Sequence, residues 1–270
     1  MRLADPVAAA WKASLSLGFT SHGTRSVLSR REHDGPLVVQ KALYPEGEGV
    51  CHAIVVHPPG GIAGGDQLAL RVDCAPQSHA LLTTPGAGKW YRSAGAWAQQ
   101  SLDFTVAGTL EWLPRETIVF DGALAELTTT VNLAEGARFI GWEVVCLGRR
   151  GAGERFERGR LRLSTRIDSA GRTVFIDRGE IEAGGRLMHS PAGLGGRSVF
   201  GTFIATSTEP LVAMRAAAPE LALTQLPGLI VGRYLGDSGE AALRAFSGLW
   251  KALRPSVCGR EAIEPRIWST

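Results

Sequence analysis

Three carboxylates stand at positions where their alternating neighbours are apolar. Asp66 is in phase with Leu68, Leu70 and Val72. A carboxylate leading an inward face caps a turn, pairs with an arginine or lines an internal polar passage. Glu143 lies in the run 139–147 (FIGWEVVCL), which is apolar on both alternating faces and leaves it no solvated side. Such a group must be neutralised or paired, because isolated burial of a carboxylate costs several kcal/mol. Glu180 is in phase with Val174 and Ile176, where the inward set turns polar. The three point to a polar interior, or to salt bridges with the abundant arginines. Of 29 Lys and Arg only Lys12, Lys41, Lys89 and Lys251 are lysines.

Other chemistries find no residue pattern. His22, His33, His52, His57, His79 and His189 form no HxH, HxxxH or HExxH spacing, and there is no GxSxG elbow. Cys51, Cys74, Cys146 and Cys258 contain no CxxC pair and read as free thiols acting as small hydrophobes. The loop 57–66 (HPPGGIAGGD) meets neither phosphate-cradling spacing. The stretch 86–89 fails too, with Thr83 where a P-loop needs Gly and Trp90 where it needs Ser or Thr. The glycine loop reads instead as a tight connection packed against another backbone. Arg158, Arg160 and Arg162 share one strand face opposite Leu161 and Leu163, as a solvated face or a partner-docking stripe.

These residues must be positioned mainly by strands. The 270 residues are 44% hydrophobic and 20% charged, with mean hydropathy +0.03, which describes a globular chain able to bury a large core. Gly 34 and Pro 14 favour many short elements joined by tight turns. Period-two alternation recurs at 14–20, 25–44, 50–57, 67–83, 101–106, 109–120, 125–133, 137–147, 198–208 and 228–235. A hairpin is legible at 159–182, turning at Asp168–Gly171. Helices are expected at 209–218 and, with Leu243, Phe246, Leu249, Trp250 and Leu253 on one face, at 240–253, stopped by Pro255. The expected fold is one mostly-β domain spanning 1–270, with stacked strands in a β-helix-like or sandwich-like arrangement and about two α-helices. No fixed-period repeat supports a regular solenoid. The +3 net charge does not suggest a polyanion binder, so nucleic acid is not expected. Asp5 and Lys12 interrupt any leader-like apolar run, and no stretch approaches 18 uncharged apolar residues. No membrane association is expected, and the compartment reads as the cytoplasm.

Read in order, QKALYPEG (40–47), VHPPGGIAGGD (56–66), TTPGAGKWYRS (83–93), EWLPRETIVFDGA (111–123), LAEGARFIGWEVVCLGRRGAGE (133–154) and PRIW (265–268) resemble the UreD (UreH) urease accessory family. Regions 1–24 and 183–225 carry little of the resemblance. It implies a mostly-β, non-enzymatic chaperone of nickel-urease maturation. The implied partners are urease apoprotein and UreF, with UreG reached through UreF. It also implies an internal tunnel for transient Ni²⁺ passage, with no resident cofactor and no stable metal site. On that model Asp66 and Glu180 are the acidic tunnel groups, and Glu143 joins them on the residue chemistry above. Oxygen ligands that hold a cation briefly suit passage, whereas His and Cys clusters would trap it. The competing readings are a β-rich hydrolase or lyase using the inward carboxylates as general acid or base, and a structural adaptor without a metal role.

Overall fold

The computed structural model describes residues 10–269; residues 1–9, on which the leader reading partly rests, lie outside the described residues. The strands run β1 (Lys12–His22), β2 (Arg25–Asp34), β3 (Val38–Leu43), β4 (Cys51–Val56), β5 (Gln67–Cys74), β6 (His79–Thr83), β7 (Gly88–Trp90), β8 (Ala98–Val106), β9 (Thr109–Leu113) and β10 (Thr117–Val119). Then follow β11 (Leu124–Leu133), β12 (Arg138–Leu147), β13 (Arg160–Ser169), β14 (Arg172–Glu182), α1 (Arg186–His189), β15 (Val199–Thr206), α2 (Leu211–Ala217), β16 (Ala222–Leu226), β17 (Leu229–Gly236) and α3 (Gly239–Cys258). Half of the chain is strand and 15% is helix, which matches the mostly-β expectation.

Two sheets share the strands. The first has the order β14-β13-β11-β8-β5-β1-β2, and the second β16-β17-β15-β12-β9-β6-β4-β3, with β7 and β10 attached beside β12. From β4 to β13 the chain passes back and forth between them. Each passage therefore lays a strand parallel to its predecessor, as in β5–β8–β11–β13 and β4–β6–β9–β12. Parallel neighbours need a long crossover, and here the crossover is a strand of the opposite sheet. The result is a stack of β-helix-like coils, closed at its ends by antiparallel hairpins such as β1–β2 and β13–β14. Second-sheet strands begin at residues 51, 79, 109 and 138, within the spacing of ~20–45 residues usual for solenoid repeats. First-sheet strands begin at 67, 98, 124 and 160. Their uneven loops hide the repeat from sequence comparison.

The alternation decides what each face buries. Leu15, Leu17, Phe19, Leu70, Val72, Phe104, Leu161 and Ile167 from the first sheet meet Cys51, Ala53, Leu82, Leu110 and Phe139 from the second. The opposite face of the second sheet packs Ile140, Trp142, Val144 and Phe203 against Phe246, Leu249, Trp250 and Leu253 of α3. β12 is thus buried on both sides, as its doubly apolar pattern requires. Ser238 caps α3 by accepting from Ala241 N (3.2 Å), and Gly259 closes it in the left-handed conformation. Pro255 does not stop the helix, which runs to Cys258. The proline falls in the last turn and removes one backbone hydrogen bond, while burial of Val257 and Cys258 keeps that turn in place.

The hairpin β13–β14 forms as expected, turning through Ala170 (φ 48°) and Gly171 (φ 77°). A bulge corrects the facing assigned to its second strand. Ile167 pairs with Phe175 and Asp168 with Thr173, so Val174 is the extra residue. Beyond it Phe175 and Ile181 are buried, whereas Ile176 is 52% exposed. Glu180 shares the outer face.

Candidate functional site

The second sheet is interrupted at one level in three neighbouring strands. β4 ends at Val56, β6 at Thr83 and β9 at Leu113. Pairing resumes beyond the gap where Ile62 bridges Trp90, β7 pairs with β10, and β10 pairs with β12. The segments between, 57–61, 84–87 and 114–116, carry Pro58, Pro59, Pro85 and Pro114. Proline has no N–H to give a ladder and is excluded from central strands. β12 runs past the gap unbroken. It pairs with β9 as far as Gly141 and with β10 from Val145, so Trp142, Glu143 and Val144 face a slit on that side.

Behind the slit lies a cavity of about 430 Å³ between the sheets. Its walls are mostly apolar, with Leu68, Leu102 and Ile167 from the first sheet and Val55, Phe139 and Ile204 from the second. Threonines 129, 165 and 202 add hydroxyls. Successive β-strand side chains point to opposite faces. Gly141 and Glu143 point between the sheets, whereas Trp142 and Val144 belong to the core under α3, yet all four line this cavity. It therefore passes through the second sheet at the slit.

Glu143 is the acidic group on the chamber wall. Among the described residues its carboxylate makes no hydrogen bond or ion pair. Burial away from bulk water, with the charge of Asp177 added, pushes its pKa up to about 7. The nearby cation is already committed: Arg233 donates to Asp177 (2.6 Å) and to Thr202 Oγ1 (2.8 Å), the strand partner of Glu143. His57 lines the same chamber, and its Nε2 is buried without a hydrogen-bond partner. Burial lowers its pKa, against the opposing pull of Asp66, and favours the neutral ring. A weakly held acid and a free imidazole nitrogen can each donate to a passing cation.

A model of the UreD urease accessory protein family matches residues 12–269. The urease accessory protein UreD of Dechloromonas aromatica is 52% identical over 96% of this chain and 95% of its own length. That of Azoarcus sp. is also 52% identical, over 96% and 94%, and that of Nitrosococcus oceani 44%, over 98% and 93%. The chain belongs to the UreD urease accessory protein family. That membership implies a role in urease maturation, and the relatives' names describe accessory proteins. Among the described residues no helix is long and apolar enough to cross a membrane.

Of the carboxylates Asp66, Glu143 and Glu180, only Glu143 reaches the chamber. Asp66 is buried, but it caps a turn, accepting from Ala63 N and Trp11 N at 2.8 Å each. It ties the start of β5 to the start of β1 and does not line the cavity. Glu180 lies outside, because the β14 bulge reverses its face. Its carboxylate accepts from Arg162 Nε (2.9 Å) with Arg160 at 3.7 Å, and the Arg162 hydrogen bond lowers its pKa. The row Arg158, Arg160 and Arg162 is exposed and paired, to Asp121, Glu182 and Glu180 respectively. Arg162 also lies 4.1 Å from the centre of the Trp97 ring. The glycine loop meets another backbone at Ile62, which pairs with Lys89 and Tyr91, whereas Gly61 packs on a side chain: a Cβ there would fall 2.1 Å from the Tyr91 ring.

A second polar cluster is not expected from the local sequence pattern. On the α3 side of the second sheet, Arg254 bonds Glu111 (2.9 Å) and Glu46 (2.7 Å), and all three are almost wholly buried. Trp250 Nε1 donates to Glu111 (2.6 Å), His79 Nε2 lies 2.7 Å from it, and His52 Nε2 lies 2.6 Å from Glu46. Burial alone would raise the Glu111 pKa, but the His79 hydrogen bond and the Arg254 charge hold it at about 2. His79, Glu111 and Cys258 bring ligand atoms within 4.8 Å of one another. The trio does not make a metal site, because Arg254, Trp250 and His79 occupy the Glu111 oxygens and burial keeps the Cys258 thiol protonated. The available signal was helical phase. Arg254 follows Phe246 and Trp250 at intervals that place it on the apolar face of α3.

Proposed function

We propose that this UreD-family chain is a non-enzymatic scaffold of nickel-urease assembly, and that its intersheet chamber conducts Ni²⁺ toward urease. The partners in this reading are urease apoprotein and UreF, with UreG recruited through UreF, in the cytoplasm. The unpartnered Glu143 carboxylate on the chamber wall is the observation that carries it. A carboxylate drawn in from the surface is normally satisfied, and one left free on a cavity wall suits a group that meets a transient cation. With a pKa near neutrality it is partly ionised at working pH, attracting a divalent ion without the permanent charge that would trap it. The cavity has room for on the order of ten water molecules, so a partly hydrated ion can be accommodated. His57 is the second donor we assign to the route, replacing Asp66 and Glu180.

The test is Glu143→Gln, which keeps the shape and removes the charge. After co-expression with the urease genes, the expected result is normal pull-down of UreF and urease with the nickel content of urease lowered several-fold. Wild-type nickel content in an intact complex would remove Glu143 from the route. Loss of the complex itself would assign Glu143 a structural role.

A further inference from the structure

We propose that Trp142 and Trp268 form a latch across the slit, and that lifting the segment after α3 opens the chamber. Two indole N–H groups tie the slit's rim. Trp142, on β12, donates to the carbonyl of Pro114 on the opposite rim (2.8 Å). Trp268 donates to Thr83 Oγ1 (2.8 Å), which itself donates to the Leu113 carbonyl (2.6 Å). The two indoles lie against each other, with ring centres 5.8 Å apart. Trp142 is both a wall of the chamber and the inner surface on which Trp268 rests. The stretches 83–93, 111–123, 133–154 and 265–268 converge here, each contributing a residue to the latch.

The segment that carries Trp268 is held in a way that permits release. Residues 259–269 follow the left-handed Gly259 and run back along α3. Arg254 holds the Glu261 carbonyl (2.5 Å), Lys251 pairs with Glu264 (2.7 Å), and Pro265 is buried. The Lys251–Glu264 pair is about half exposed and contributes little. Beyond Pro265 the Trp268 ring packs against Trp142 and Trp250. A segment most of whose residues are exposed opens locally at lower cost than the sheets it covers. With Trp268 lifted, Trp142 loses the ring that backs it, and only its bond to Pro114 and its contacts with Phe203 and Phe246 keep it across the slit. The latch takes its purpose from the conduit reading, but its geometry does not depend on what the chamber carries.

The test reads access directly and uses no metal. Thr129, on the first-sheet wall of the chamber, is replaced by Cys in the full chain, and its reaction with a small methanethiosulfonate reagent is followed by peptide mass. Trp268→Ala is expected to raise the labelling rate at position 129 at least about tenfold, the effect of losing one hydrogen bond and two aromatic contacts. Trp268→Phe and Thr83→Val, which remove the hydrogen bond and keep the packing, should give smaller increases. Buried Cys51 reports global opening. An unchanged rate at position 129, or an increase matched at Cys51, overturns the latch. If Trp268→Ala does not fold, unchanged rates in both milder variants overturn it equally. Faster labelling together with normal nickel transfer by Glu143→Gln would retain the latch and remove Glu143 from the route.

Discussion

The two faces of the second sheet hold carboxylates in opposite states. Glu111, on β9, takes hydrogen bonds from Trp250 and Arg254 with His79 beside it, and its pKa sits at about 2. Glu143, on the neighbouring β12, has no such partner, and its pKa rises to about 7. Glu111 is fully buried and Glu143 half-buried on the chamber wall, so burial alone does not explain why the less enclosed acid has the higher pKa. Partner count does: the first is a rivet between sheet and helix, the second a group left free in a cavity. A buried charge that is fully bonded reports architecture, and one that is not bonded reports use.

The largest test of this contrast is on the riveted side. Arg254→Met leaves Glu46 and Glu111 without their shared cation and should cost about 3–5 kcal/mol, read from urea unfolding at pH 7. A loss below about 1 kcal/mol would mean that the cluster is not the anchor described. Next is Glu143→Gln, which should stabilise the protein in a pH-dependent way. The folded-state pKa lies above the unfolded value of 4.5, so the native state holds its proton more tightly. Its stability contribution is therefore present below about pH 4.5 and is lost as pH rises to about 7. Removing the acid should add up to about 3 kcal/mol at pH 8 and almost nothing at pH 4. Equal effects at both pH values would place a hidden partner on Glu143.

The smaller effects sharpen the comparison for the two acids that left the route. Asp66→Ala strands the N–H groups of Ala63 and Trp11 and should cost about 2 kcal/mol in the same assay. Glu180→Gln loses only exposed pairing and should leave the unfolding midpoint where it was. A large loss at Glu180, or none at Asp66, would reverse their assigned places.

Local alternation in the sequence determined most of the strands, the β13–β14 hairpin and the apolar face of α3, because side-chain periodicity is a short-range property. It also marked Glu143, since a strand apolar on both faces leaves a carboxylate nowhere to go. Short β7 and β16, three and five residues long, carry too little pattern to be read. The facing of Glu180 was lost to one extra residue at Val174, which reverses the parity of everything after it. The cluster around Arg254 joins residues as much as 208 positions apart, and no local window contains it. The slit is the clearest case. Each proline-broken segment reads as an ordinary loop, and only the stacking of three coils sets the breaks side by side and turns them into an opening.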